Sequence, residues 1–444
     1  EAWGLKSFLR SASHRPSLAS LWRRSPVGCM SSAPAAIQVP AKTGSEKDEE
    51  NPDAWVRRNP VMWKHGKTNW ECPVDLLGVS YATPPDLFFV RSHGPVPSLD
   101  AVTHSVSIEG FVSKPMNFSV QDLKDKFPVR RVWSALVCSG SRRKELNLIK
   151  HGGGHIDWHS AVGNAEWEGV YLRDVLLDCG VEQDYAVAKH VEFEGADAHS
   201  SGYRTSVPFS TTFNPAGEVL LAWAMNGVPL PPDHGFPLRV LVPGVTGARS
   251  CKWLRRICVQ GQETDHHMHK NYYKVLPPHI MTPKGNLEEI LAAPPLYDVS
   301  VNAIAFEPRT GTPARAGPLL VRGYAYCGGG RPVERVEVSL DGGSTWAQST
   351  FAEQHRTEAG NMYAWVWWET VVDFDPEQHK EIVVRAWDAH CNTQPERPLW
   401  NYNGMMNNCQ FRLKVDSVQK EDGSFSLEWQ HPTTWMEKAT SARL

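Results

Sequence analysis

SALVCSGSRRKELN, residues 134–147, carries an apolar run into a Ser-Gly-Ser turn, and two arginines follow at once. Cys138 sits at the junction. Its thiol can be buried filler, a nucleophile, or a ligand for something large and anionic. Guanidinium groups beside a thiol lower its pKa and also hold phosphate or an oxyanion, so Arg142 and Arg143 favour a functional reading. A cysteine alone in an apolar strand is most often inert. The rest of the chain has to decide.

Outward from this stretch the texture is globular from Asn51. DLFFVRSHGPVP (86–97) reads as a strand entering a turn, and HSVSIEGFVSKPMNFSVQDLKDKF (104–127) as strand, turn and short helix. VYLRDVLLDCG (170–180) has helical periodicity closed by Gly180. VLLAWAMNGVPLPPDHGFPLRVLVPG (219–244) predicts two strands around an Asn-Gly turn. Residues 275–300 break into a proline-rich linker. Beyond them short alternating strands recur with a turn every ten residues or so, which is the pattern of a β-sandwich. The fold class expected is α+β: a mixed α/β domain over 51–290, then an all-β, immunoglobulin-like sandwich over 291–444 with a C-terminal tail.

Composition limits what such a chain does. Its 444 residues exceed one ordinary core, and 41% hydrophobic content can fill two. A net charge of −3 points away from nucleic acid, and no apolar run is long enough to span a bilayer. The nine cysteines contain no CxxC, which argues against zinc ribbons and disulfide scaffolds. The 18 tryptophans suit a large, well-packed β-rich enzyme. Residues 1–50 form a separate segment. After Glu1 no acid occurs before Glu46, and Arg, Ser and Ala alternate with Leu5, Phe8, Leu9, Leu18 and Leu21. That composition suits a mitochondrial targeting segment, or, if retained, an arm for docking.

No GxGxxG after a strand, GxxxxGK[ST], GxSxG or HExxH occurs. DHHMH (265–269) is read as a solvated loop rather than a metal site. What remains is a set of segments that each place a cation, a histidine or a glycine turn beside an apolar strand. They hold Arg91 and His93, Arg142 and Arg143, His234 and Arg239, and Arg249, Ser250 and Lys252. Glycine lets backbone approach a ligand, and several cations neutralise a phosphate. Together they describe a deep site for a phosphorylated cofactor with one cysteine presented to it.

DHGFPLRVLVPG, GARSCKWL, RGYAYCGGG, VSLDGGSTW and NTQPERPLWN, in this order and at this spacing, resemble the sulfite oxidase and eukaryotic nitrate reductase family of molybdenum enzymes. The likeness runs from about Asn51 to Lys414. It implies Mo-molybdopterin as cofactor, Cys138 as the protein's thiolate on the metal, and a homodimer formed through the sandwich. By the same resemblance Ser92, His93, Asp197, His234, Arg239, Arg249, Ser250 and Lys252 hold the cofactor. Arg91, Arg143, Trp158, Tyr273 and Asn403 line the substrate site, with Cys138, Tyr273, Arg91 and Arg143 catalytic. The chain is closest in domain content to a haem-free sulfite oxidase, which implies oxidation of sulfite to sulfate by oxygen-atom transfer. The electron acceptor expected is cytochrome c or oxygen.

The sequence departs from the family at three places. The family's Arg-Asn-His reads Arg91-Ser92-His93, its Cys-Ala-Gly-Asn-Arg-Arg reads Cys138-Ser139-Gly140-Ser141-Arg142-Arg143, and an arginine of sulfite oxidases is replaced by Asn403. Loss of that cation predicts weaker sulfite binding, recoverable by Asn403→Arg. VLPPH (275–279) and NYNGMMNNC (401–409) look more like nitrate reductase, whereas Tyr273 falls where sulfite oxidases carry a tyrosine. Two alternatives follow: a nitrate or other oxyanion reductase fed by an external electron donor, or a catalytically inert subunit of a larger mitochondrial assembly.

Overall fold

The computed structural model describes residues 55–197 and 202–441, so the basic segment 1–50 lies outside the described residues. Two five-stranded sheets build the first domain. One runs through the antiparallel strands Arg130–Val137, Val162–Tyr171 and Leu220–Met225, with Val228–Pro229 and Arg239–Leu241 both paired to Leu220–Met225. The other orders Met116–Ser119, Ser105–Gly110, Leu254–Gln260, His190–Gly195 and Arg204–Pro208, with a single parallel pair between Ser105–Gly110 and Leu254–Gln260.

Local chemistry explains the punctuation. Ser119 and Asp122 form a reciprocal capping box that starts the helix Val120–Lys126. Asn226 and Gly227 both take positive φ, 51° and 76°, as a tight hairpin turn between twisted strands requires. Gly180, at φ 64°, follows the helix Leu172–Asp178 in the left-handed conformation that glycine adopts freely. The strand expected at 86–90 does not form. Only Val90 pairs, in a bridge to Trp70, while Phe88 and Phe89 pack into the core.

The second domain is the expected sandwich. A four-stranded sheet (Asn302–Glu307, Gly317–Tyr326, Val366–Phe374, Thr350–Glu353) faces a five-stranded one (Ala347–Gln348, Val333–Ser339, Glu381–Asp388, Phe411–Gln419, Phe425–Gln430). Val321, Tyr324 and Trp368 meet Val336, Val384 and Leu413 in a shared core. That core does not stop at the domain boundary: Met62, Cys72, Tyr81, Val137 and Val162 of the first domain belong to it. The tail expected at the C-terminus instead includes the strand Phe425–Gln430 and the helix Pro432–Ser441, which packs on the helix Arg143–Ile149. Among the described residues no disulfide forms, and seven of eight cysteines are buried. No described helix is long and apolar enough to cross a membrane.

Candidate active site

Cys138 is the first residue beyond the strand Arg130–Val137. Its N–H donates to the Ala161 carbonyl at 3.0 Å, and its own carbonyl accepts from the Ser141 N–H at 2.9 Å. Two backbone bonds therefore fix the thiol where the strand hands over to the helix Arg143–Ile149. Arg142 takes φ 60° at that turn, and the paired arginines diverge. Arg142 goes inward. It bonds both oxygens of Glu145 at 2.8 Å, Asn302 Oδ1 at 3.0 Å and the Cys409 carbonyl at 2.7 Å. Burial opposes its charge, but Glu145 with Cys409 and Tyr326 together outweigh burial and hold the pKa above the ordinary value. Arg143 goes to the site. Its Nε donates to the Asn403 and Gly404 carbonyls, both at 3.1 Å, and its Nη1 to the Ile156 carbonyl at 2.9 Å. Glycine makes room for it: a Cβ at Gly154 would lie 2.5 Å from Nε, and one at Gly404 2.6 Å from Cγ. Burial lowers the Arg143 pKa.

Two spaces meet at Cys138. The inner one is a cavity, and of the expected cofactor residues Ser92, His93, Cys138, Asp197, His234, Arg239, Ser250 and Lys252 line it. Arg239 donates to the His234 and Ser250 carbonyls at 3.0 and 2.9 Å, and burial brings its pKa down to about 10. Lys252 Nζ donates to Ser92 Oγ at 2.7 Å and to the Asp233 carbonyl at 2.8 Å, and burial brings it down to about 8. His234 is pushed down to about 4 by burial, which leaves it neutral, with Nε2 2.9 Å from the Pro85 carbonyl. Arg239 and Lys252 thus bond to carbonyls and a hydroxyl in a buried cavity, where a phosphate would favour the charged forms that burial disfavours.

The outer space, about 830 Å³, is lined by Arg143 and Asn403 together with His155, His267, Tyr272 and Met405. Arg91, His93, Cys138, Ser139 and Tyr273 face both spaces. Arg91 donates to Asn69 Oδ1 at 3.2 Å and to the Ser92 carbonyl at 2.6 Å, and its Nη2 lies 3.2 Å from His93 Nδ1. His93 Nε2 lies 2.8 Å from the Tyr273 hydroxyl. Arginine can only donate, so His93 Nδ1 accepts and Nε2 carries the hydrogen that it donates to Tyr273. The Tyr273 O–H is then left to donate into the chamber. Burial raises the Tyr273 pKa and keeps it a phenol.

Three expected residues sit differently. Trp158 is fully buried, edge-on to His65 at 4.9 Å, and lines neither space. Arg249 is fully buried and bonds the Leu296 carbonyl, Thr205 Oγ1 and His269 Nδ1 at 2.8, 2.9 and 2.7 Å; its neighbours Ala248 and Ser250 line the inner cavity in its place. Asn403 lines the chamber, but its amide donates to the Tyr272 and Lys274 carbonyls at 3.0 and 3.2 Å, so it pins the segment that carries Tyr273. Sequence reasoning missed His155, His267, Tyr272 and Met405, although the unusual HGGGH (151–155) was a signal for the first of them.

Cys138 sits where a buried cavity holding Arg239 and Lys252 meets a chamber lined by Arg91 and Arg143, an arrangement that fits a molybdopterin oxidoreductase site. The comparisons agree. Residues 93–268 match the family described as oxidoreductase molybdopterin binding domain, and residues 293–418 the Mo-co oxidoreductase dimerisation domain. The chain is 39% identical over 415 residues to a nitrate reductase [NAD(P)H] of Hordeum vulgare, covering 89% of this chain and 46% of that protein. It is 39% identical over 420 residues to nitrate reductase [NADH] 2 of Phaseolus vulgaris, covering 90% and 47%. The chain thus spans about half the length of these relatives. Among solved structures, the sulfane dehydrogenase SoxCD of Paracoccus pantotrophus aligns with a TM-score of 0.65 at 26% identity, over 84% of this chain and 89% of that one. The chain belongs to the sulfite oxidase and eukaryotic nitrate reductase family of molybdenum enzymes, whose cofactor is molybdopterin.

Proposed function

We propose that the chain reduces nitrate to nitrite at a molybdopterin-bound molybdenum ligated by Cys138, with electrons from an external donor. One observation carries the reading: the same five residues, Cys138 among them, face both a buried cavity holding Arg239 and Lys252 and an arginine-lined outer chamber. Molybdenum bound there supplies two-electron oxygen-atom exchange. The overall change takes nitrate, two electrons and two protons to nitrite and water. Arg91 and Arg143 orient the anion and offset the charge that develops on its oxygens. Tyr273 donates its hydroxyl hydrogen toward the oxygen being transferred, and His93 Nε2–H holds the phenol in that orientation. Arg143 is committed to three carbonyls and Asn403 adds no charge, so the cationic field suits a monoanion such as nitrate better than dianionic sulfite. The nitrate reductases among the relatives support the same ordering.

Sulfite oxidation is the second reading, favoured by Tyr273 at the chamber wall, with cytochrome c or oxygen as acceptor. An inert subunit of a mitochondrial assembly is the third, and mitochondrial placement is supported by the composition of residues 1–50 alone. Purified protein is to be assayed for molybdenum, then with nitrate and reduced viologen, and with sulfite and ferricyanide. About one molybdenum per chain with nitrate turnover is expected. Sulfite turnover without nitrate turnover reverses the order, and bound molybdenum with neither favours the inert reading.

A further inference from the structure

We infer that Ser139, which nothing in the family motif assigns because the family carries alanine there, is a substrate-binding residue whose hydroxyl donates a hydrogen bond to the oxyanion. The inference rests on the oxyanion chamber proposed above. Ser139 is only 2% exposed, and its Oγ has no hydrogen-bond partner. A buried hydroxyl without a partner is costly and uncommon in a native protein, which makes it a pointer to a ligand. Several other buried side-chain atoms also lack partners, but among the described residues only Ser139 among them lines the inner cavity or the outer chamber. It lines both, and also a smaller pocket that Cys138, Ser141 and Asn302 share.

The backbone holds it there. The Ser139 carbonyl accepts from the Met406 N–H at 2.7 Å, and Cys138 on one side and Gly140 on the other are bonded through the Ser141 and Arg143 N–H groups. Only the hydroxyl rotor remains free to choose an acceptor. Cys138 Sγ is not one of its partners in this structure, and Arg91, Arg143 and Lys252 offer no lone pairs. The acceptor that fits is an anion oxygen in the outer chamber, whose wall Ser139 shares with Arg91 and Arg143. Such a contact compensates in part for a position where Asn403 brings no cation to the anion.

The test compares holoenzyme of the native chain with Ser139→Ala and Ser139→Thr. Alanine is smaller and is the family residue, so the fold is not at risk. Binding of nitrate and of sulfate is measured by titration calorimetry without turnover, and KM and kcat are measured for nitrate. Ser139→Ala is expected to weaken anion binding and raise KM by about tenfold, as loss of one hydrogen bond to a charged group does, with a much smaller fall in kcat. Ser139→Thr, which keeps the hydroxyl, is expected to recover most of the affinity. Equal anion affinity in the native and Ser139→Ala proteins overturns the inference. Unchanged affinity with reduced molybdenum content also overturns it, because the hydroxyl then serves the cofactor. Weakened binding in an enzyme that turns over neither nitrate nor sulfite upholds Ser139 while refuting the proposed reaction.

Discussion

At the scale of the residue, two substitutions separate chemistry from support. Cys138→Ser replaces the thiolate ligand with a hydroxyl of nearly the same size, so oxygen transfer should fall to background while near-UV circular dichroism stays native. Cys391→Ser, at the exposed cysteine, should retain full turnover, and unchanged turnover in Cys138→Ser would reject the ligand assignment. Asn403→Arg tests a revision. Read from sequence, the change restores a missing cation and lowers the KM for sulfite. In the structure it removes both amide bonds to the Tyr272 and Lys274 carbonyls and buries a second guanidinium beside Arg143. A loss of about 1–3 kcal/mol in urea unfolding and no gain in KM are expected. A lower KM at native stability would favour the missing-cation reading. The positions of Cys138, Arg91, Arg143 and Tyr273 at one chamber were legible, through the family resemblance. Trp158 and Asn403 were not, since a tryptophan beside a site and one beneath it look alike in sequence, and an amide's partners are carbonyls that any residue supplies.

At the scale of the element, the helix Arg143–Ile149 is held from both ends. Its first turn is clasped by Arg142 to Glu145, Asn302 and Cys409, and its flank carries the helix Pro432–Ser441, with Lys144 paired to Glu437 and Thr440 Oγ1 donating to the Leu148 carbonyl at 3.4 Å. Glu145→Ala leaves a fully buried guanidinium without its counter-ion, which typically costs about 3–5 kcal/mol. The expected readout is a lower unfolding midpoint, because Arg142 loses its clasp on the first turn of the helix. An unfolding midpoint within error of the native one would show that the clasp is not structural. Most elements here were visible in advance: the Gly180 cap, the Asn226-Gly227 turn and the alternating sandwich strands each announce themselves within a few residues. What the sequence hid were choices made at a distance. Nothing local distinguishes Arg142 from Arg143. The divergence comes from one left-handed φ, stabilised by partners about 160 and 270 residues away.

For the whole molecule, a dimer is expected through the sandwich. Leu320 and Val371 are register partners on adjacent strands, yet 42% and 55% exposed, an apolar pair facing out. Light scattering should give about twice 49.6 kDa, and Leu320→Asp with Val371→Asp should give the monomer mass; a native monomer at micromolar concentration rejects the dimer. Stability should also depend on pH with a definite sign. Burial holds His159 and His234 down to about 4, whereas in the unfolded chain a histidine protonates near 6.5. Between those values the unfolded state takes up protons first, so stability falls as pH drops from about 6.5 to 4 and these two groups add nothing further below that. Thermal midpoints across the range, flatter in His159→Gln, check it. The hydrophobic core that crosses the domain boundary has a consequence of another kind. Two-domain proteins ordinarily melt in two steps, but here Val137 and Val162 lie in the same core as Tyr324 and Trp368, and the buried Arg142 guanidinium donates across the joint to Asn302 Oδ1 and the Cys409 carbonyl. Neither half has a complete interior without the other. Calorimetry should therefore record a single cooperative endotherm, and a chain cut in the 275–300 linker should yield two fragments that stay folded only as long as they remain associated.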